Sequence, residues 1–405
     1  MSKNKTQKWV KSRHKIFKKI LHPFLKAYIR LKCKIKIEKF GGKGQYLIIA
    51  NHQTSYDQFF VDLMFKNTIY YLSSEDVLSN GFVSKFIRFL FNPIPIKKQT
   101  QDAGAVMTCM RVAKEGGSIG IFPEGNRTYS GKTEYINPSI AKLALKLNLP
   151  IVFVRIEGGY GIQPRWSDVF RKGKSRVFVS RLMQVEEVKN CSVEQLNEII
   201  KKELFVDENV LDNKYYHKKS AEYLERAIYI CPTCGISKFE SKNDIIECKK
   251  CFKKVRYLPN KQLEGVGFEF PFKFIGEWYA YQTDFINKTD ISVFENSPAY
   301  TDEKINLYDV VFYKNKKILK KGLTMSVYLD RFEFTSKDYQ MVLHLEKVSA
   351  VTVLGRNKLN IYYENNKKAY QVKGDKRFNA LKYVHFYFHY KNLKEGKLNE
   401  QFLGL

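Results

Sequence analysis

Between residues 45 and 185 the chain alternates six short apolar runs with stretches of helical periodicity, and no other feature limits the possible folds as much. The runs are YLIIA (46–50), TIYYL (68–72), NPIPI (92–96), SIGIFP (118–123), PIVFVRI (150–156) and RVFVSRL (176–182). Short runs rich in Ile, Val, Tyr and Phe read as strands. The intervening pieces, 55–66, 79–91, 100–115 and 138–148, read as helices. Asn137-Pro138 starts the last of these and Gly116-Gly117 stops the one before it. Strand and helix in alternation make an α/β domain with a largely parallel sheet.

The rest of the chain divides around this unit. With 405 residues and 44% hydrophobic content, two or three cores are expected. A net charge of +29 asks for an anionic partner, either nucleic acid or an acidic membrane surface. Residues 1–43 carry 15 Lys or Arg against Glu38 alone. Ile16, Phe17, Ile20, Leu21, Phe24, Leu25, Tyr28 and Ile29 recur at helical spacing within that stretch. The segment therefore reads as a basic amphipathic helix lying on anionic membrane lipids, kinked or split at Pro23. No apolar run is long enough to span a bilayer, and no signal-peptide pattern is present. A peripheral protein on the cytoplasmic face of the membrane is the expectation.

Residues 206–228 read as a helical linker. CPTCG (231–235) and CKKCF (248–252) then place Cys231, Cys234, Cys248 and Cys251 in two CxxC pairs, the spacing of a zinc ribbon over 229–258. Four thiolates leave no open position, so structural zinc is expected, with a rubredoxin-like iron site as the alternative. Residues 259–405 carry short aromatic strands and a closing helix at 376–390. They resemble a pleckstrin-homology or GRAM-type β-rich domain. His344, His385 and His389 read as structural; the last two share a helix face at i, i+4 but have no third ligand candidate.

Two stretches inside the α/β unit carry chemistry. In NHQTSYD (51–57) a histidine follows a strand and an aspartate stands five residues on. Five helical steps would set the two side chains about 140° apart. For the pair to meet, His52 must lie in the turn and Asp57 in the first turn of the next helix, with Thr54 as the cap. A carboxylate on one ring nitrogen then fixes the tautomer and raises the basicity of the other. By itself the pair is equally a turn histidine beside a capping aspartate. FPEGNRT (122–128) ends another strand, where α/β sheets bind ligands, with a glycine for close approach and an arginine suited to phosphate. Lys97 and Lys98 follow a third strand end.

NHQTSYD, IPIKK, IFPEGNRT and LPIVFVRI, in this order and at these intervals, resemble the four blocks of the glycerophosphate and lysophosphatidate acyltransferases over roughly residues 20–205. The resemblance sets the acyltransferase domain at 44–205. It implies a membrane-associated O-acyltransferase that moves a fatty acyl group from a carrier-protein thioester, a coenzyme A thioester or an acyl phosphate to a lysophospholipid hydroxyl. His52 would be the general base and Asp57 its orienting partner. Glu124, Gly125 and Arg127, with Lys97 and Lys98, would hold the acceptor's glycerophosphate. The second block has lysine where the family usually has arginine, and Phe153 stands where the fourth block usually has a second proline. Two alternatives stay open: a nucleic-acid-binding zinc-ribbon protein with an α/β scaffold, or the same fold acylating another acceptor.

Overall fold

The computed structural model describes residues 8–96, 102–311 and 314–396. The first unit is a seven-stranded sheet whose strands are β1 (Ile35–Ile37), β2 (Leu47–Ala50), β3 (Ile69–Ser74), β4 (Ile94–Ile96), β5 (Ser118–Ile121), β6 (Ile151–Glu157) and β7 (Ser175–Met183). Their spatial order is β1-β7-β6-β2-β5-β3-β4. Strands β2 to β6 are mutually parallel where they pair, and β7 turns back antiparallel to β6. All six strands expected from the apolar runs form. The short strand β1, in KIKIE, is additional and extends the sheet beside β7.

Around the sheet lie α1 (Ser12–Lys32), α2 (Asp57–Met64), α3 (Gly81–Phe91), α4 (Ala103–Lys114), α5 (Ser139–Leu147) and α6 (Val193–Leu204). A parallel sheet covered on both faces buries alternate side chains on opposite sides. Leu47, Ile49, Ile119 and Phe153 pack with Cys109, Leu143 and Leu196 of α4, α5 and α6. Ile48, Ala50, Val152 and Val154 pack instead with Phe60, Val61 and Leu63 of α2 and Ile29 of α1.

Helix α1 continues through Pro23 as one element, so the split does not occur. Pro23 is exposed, so the carbonyl that it leaves without a helical donor can meet water. The apolar set of α1 serves two surfaces. Ile29 is buried and Leu25 packs against the body, whereas Ile16, Ile20, Phe24, Tyr28 and Leu31 are exposed. Lys18 fastens the helix, donating to the Asp62 carboxylate at 2.7 Å and to the Asn67 carbonyl at 2.7 Å.

Residues 206–228 form no helix beyond a 3-10 turn at Leu224–Arg226, contrary to the linker reading. Packing overrides local propensity there. The Tyr215 ring packs against Gly161, where an added Cβ would stand 2.1 Å from the ring. Its neighbour Tyr216 pairs with Lys172.

The cysteine-bearing unit has a two-stranded ladder, β8 (Ile230–Cys231) with β9 (Gly235–Ile236). Beside it stands a four-stranded antiparallel sheet of β10 (Phe239–Lys242), β11 (Ile245–Cys248), β12 (Lys254–Tyr257) and β13 (Leu263–Gly265), so the ribbon continues past residue 258. A helix that the sequence reading had not placed, α7 (Ile275–Lys288), follows. The last unit is an antiparallel sheet of β14 (Tyr300–Asp309), β15 (Lys317–Val327), β16 (Arg331–Ser336), β17 (Tyr339–His344), β18 (Val348–Leu354), β19 (Lys358–Tyr363) and β20 (Lys368–Lys373), in the order β17-β16-β15-β14-β20-β19-β18. It closes with α8 (Leu381–Lys394). One apolar core joins Ile230, Ile246 and Val255 of the ribbon, Trp278 of α7 and Phe332, Val351 and Val384 of this last unit. Tyr129 and Trp166 of the first unit belong to it as well.

Candidate active site

Strand β2 lies at the middle of the first sheet, and the chain leaves its carboxyl end through Asn51. The Asn51 side chain copies a strand neighbour: its amide donates to the Ile156 carbonyl at 2.9 Å, and its oxygen accepts the Ile156 N–H at 2.7 Å. This ties the turn to β6 just beyond the last ladder pair. His52 follows, and its Nδ1 lies 2.8 Å from Asp57 Oδ2.

The aspartate is completely buried and fully employed. Oδ2 also accepts the N–H groups of Gln53 (2.6 Å) and Thr54 (2.9 Å), while Oδ1 accepts the Thr54 hydroxyl at 2.6 Å. The expected capping is thus inverted. Thr54 does not cap the helix; the Asp57 carboxylate gathers the donors of the turn and holds His52 over the start of α2. The turn brings the histidine and the aspartate together, as a regular helix could not. The imidazole is 20% exposed and stacks on Phe122, with ring centroids 4.6 Å apart.

The FPEGNR loop abuts this turn. Thr128 N–H donates to the His52 carbonyl at 3.2 Å. Glu124 is buried, and its two oxygens accept the His52 N–H (2.6 Å) and the Glu134 N–H (2.9 Å). Burial pushes its carboxyl well above the ordinary range, against those two donors. Glu124 therefore binds one loop to the other. Gly125 adopts a positive φ of 68° with open space where a Cβ would stand. Arg127 is 7% exposed. Burial first, then the neighbouring Arg165 and Arg356, bring its guanidinium down to about 9. Its Nη1 has no hydrogen-bond partner among the described residues. Strand β4 ends at Ile96, and Lys97 and Lys98 fall outside the described residues.

Sequence reasoning missed two arginines beside the loop. Arg165 is buried and stands over the Tyr129 ring at 4.3 Å. Its signal was position: it follows the carboxyl end of β6 by eight residues, at the same edge of the sheet as His52 and Arg127. Arg356 belongs to the β18–β19 turn, and nothing local marked it. Tyr56 was also missed. Its hydroxyl lies 3.0 Å from that of Tyr28 on α1, so the basic helix touches the residue preceding Asp57.

The second cluster is the set of four cysteines, whose sulfurs all lie within 4.8 Å of one another. Cys231 and Cys251 are 3.7 Å apart, and Cys234 and Cys248 are 3.5 Å apart. Four sulfurs arranged tetrahedrally at about 2.3 Å from one ion would be separated by about 3.8 Å. The set therefore fits a single metal ion. The residue after each CxxC pair is left-handed, Gly235 at φ 69° and Phe252 at φ 60°, so the two knuckles share one backbone shape.

A histidine–aspartate pair thus lies at the carboxyl edge of the parallel strands, with FPEGNR wrapped against it, and the chain's similarities to known proteins are those of an O-acyltransferase. A family model described as Acyltransferase matches residues 30–157, about a third of the chain. Among curated proteins, the 1-acyl-sn-glycerol-3-phosphate acyltransferase of Borreliella burgdorferi is 26% identical over 170 residues, covering 41% of this chain and 67% of the relative. The Bacillus subtilis protein of the same name is 21% identical over 159 residues, covering 38% of this chain and 76% of the relative. A solved structure of a 1-acyl-sn-glycerophosphate (LPA) acyltransferase from Thermotoga maritima aligns with a TM-score of 0.41 at 22% identity, covering 48% of this chain and 80% of that one.

Proposed function

We propose that the protein transfers a fatty acyl group from a thioester or acyl-phosphate donor to the free hydroxyl of lysophosphatidic acid. The observation that carries this reading is the His52–Asp57 contact at 2.8 Å with buried Arg127 on the adjoining loop. Asp57 holds Nδ1, so Nε2 is the basic atom that takes the acceptor's proton as its oxygen attacks the acyl carbon. The Asp57 carboxylate stabilises the imidazolium that forms. Arg127 pairs with the acceptor's phosphate, and an anion there offsets the cost of burying its guanidinium. Gly125 lets the glycerol backbone approach the loop. Lys97 and Lys98, next in the chain after β4, add cationic charge to the headgroup site. The names of the two curated relatives support the acceptor.

The same chain docks peripherally on an anionic membrane, at its cytoplasmic face. Exposed Ile16, Ile20, Phe24 and Leu31 of α1 support this, together with exposed Phe82, Val83 and Phe86 of α3. The two helices touch through Phe17 and Phe89, whose ring centroids are 5.6 Å apart, so their apolar surfaces adjoin. Basic residues surround them, as an interfacial surface requires. Among the described residues no helix is long and apolar enough to cross a membrane. The metal of the cysteine cluster is zinc in a structural role, supported by an all-thiolate set with tetrahedral spacing. Seven antiparallel strands and a closing helix support the pleckstrin-homology-like reading of the last unit.

The test is acyl transfer by the purified protein from palmitoyl-coenzyme A or palmitoyl carrier protein to lysophosphatidic acid, read by mass spectrometry. The wild type should form phosphatidic acid on anionic vesicles, and His52→Ala should lower the rate by at least about 100-fold. Wild-type activity in that variant would remove His52 as the base.

A further inference from the structure

The β18–β19 turn of the last sheet lies against the FPEGNR loop, 228 residues away in the chain. Arg165 clamps the two together. Its Nη1 donates to the Arg127 carbonyl at 3.1 Å, its Nη2 to the Val353 carbonyl at 2.8 Å and its Nε to the Gly355 carbonyl at 3.3 Å. Arg127 Nη2 reaches the same Gly355 carbonyl at 3.4 Å. The next residue is Arg356. It is ion-paired to Asp168 at 3.4 Å, and it lies close enough to Tyr56 and Arg127 to perturb both.

The arginines here fall into two kinds. Arg165 spends its guanidinium on three carbonyls. Arg226 donates to the Lys376 and Trp166 carbonyls and takes Asp168 with two nitrogens, at 2.7 and 3.3 Å. Both are structural fastenings. Arg127 and Arg356 differ: Arg127 Nη1 is buried without a hydrogen-bond partner among the described residues, and Arg356 Nε meets, at 3.4 Å, an Asp168 that Arg226 already takes at 2.7 Å. The nearby carboxylates are already engaged: Asp57 by four donors of its own turn, Asp168 by Arg226. A buried donor left unused beside a surplus of positive charge calls for an anion with several acceptor oxygens, which a phosphate monoester supplies.

We propose that Arg356 completes the phosphate site of the acceptor together with Arg127, so that the C-terminal sheet supplies part of headgroup recognition. This rests on the acceptor reading above. It gives the last unit a role in the reaction besides any in docking. It also explains why Arg165 is spent entirely on joining the two loops.

The test uses the full-length chain as wild type, Arg356→Ala and Arg356→Lys. Calorimetric binding of glycerol 3-phosphate and of inorganic phosphate is measured beside KM and kcat for lysophosphatidic acid. Arg356→Ala should weaken glycerol 3-phosphate binding and raise KM by about 10- to 100-fold, with kcat altered less than about threefold. Arg356→Lys should recover part of the loss, since it keeps the charge without the fork. Unchanged phosphate binding in Arg356→Ala would overturn the proposal, as would a fall in kcat alone together with a lowered melting temperature. Inorganic phosphate that binds through Arg356 without competing against lysophosphatidic acid would overturn the headgroup assignment. Arg356-dependent binding of glycerol 3-phosphate with no acyl transfer to lysophosphatidic acid would leave this site standing and remove the acceptor reading instead.

Discussion

Replacing Asp57 by Asn isolates the electrostatic part of the proposed mechanism, because the structure lets the amide keep most of the turn. With its oxygen in the place of Oδ2, the asparagine still accepts from His52, Gln53 and Thr54. Its NH2 then faces the Thr54 hydroxyl, which rotates to accept. The stability loss should stay below about 2 kcal/mol, the scale of one charge-assisted hydrogen bond. The charge, however, is gone. Two unit charges about 4 Å apart at an effective dielectric constant near 20 attract by about 4 kcal/mol, and a 2.8 Å contact with a fully buried carboxylate belongs to that regime. At about 1.4 kcal/mol per tenfold, the ceiling is roughly a 1000-fold loss of rate. The partial exposure of His52 to solvent brings the expectation to between about 100- and 1000-fold in kcat. The assay is the rate of phosphatidic acid formation, with melting temperature as the control. His52→Ala combined with Asp57→Asn should be no slower than His52→Ala alone, because the two act as one unit. A folded Asp57→Asn within fivefold of wild type would refute the reasoning.

Two further outcomes follow from groups away from the reacting atoms. Glu208 is buried, accepts the Gly158 N–H at 2.6 Å, and is raised by burial from 4.5 to about 7. Below pH 4.5 both folded and unfolded states hold this proton. As pH rises toward 7 the unfolded chain releases it first, so this group's contribution to stability falls by roughly 3 kcal/mol. Glu208→Gln should therefore gain stability over wild type at pH 8 relative to pH 5, read from denaturant midpoints; an equal difference at both pH values would contradict this. Cys248→Ser should lose one equivalent of bound metal and lower the melting temperature, with a cost on the order of several kcal/mol. Elemental analysis and thermal melts check it, and an unchanged metal content would dismiss the site.

Much of the first unit was legible because its information is local. Apolar runs of five to seven residues, separated by helical periods, specify strands wherever they pack, and all six formed. The His52–Asp57 meeting was legible for a similar reason: five residues across a strand-to-helix turn admit few arrangements. The four cysteines bring their sulfurs together through two tight CxxC turns and a short connecting hairpin. Reading failed where neighbours far along the chain decided the outcome. Residues 206–228 carry polar residues suited to an exposed helix, yet the fold packs Tyr215 against Gly161 and Gly173 instead. Thr54 looked like a cap, but Asp57 collected the turn's donors first.

By itself, then, the sequence determined the strand succession of the α/β unit, the pairing of His52 with Asp57, the cysteine set and the excess of positive charge that asks for an anion. Each depends on residues a few positions apart, where chain geometry leaves little choice. Only the tertiary structure decided which arginines are spent on the fold and that Arg127 keeps an unused donor. Arg127, Arg165 and Arg356 have the same side chain and the same charge. Their difference arises because the β18–β19 turn folds onto a loop 228 residues earlier and offers its carbonyls to Arg165. A guanidinium's partners are fixed by what the fold brings within 3.5 Å of it, and no local pattern carries that information.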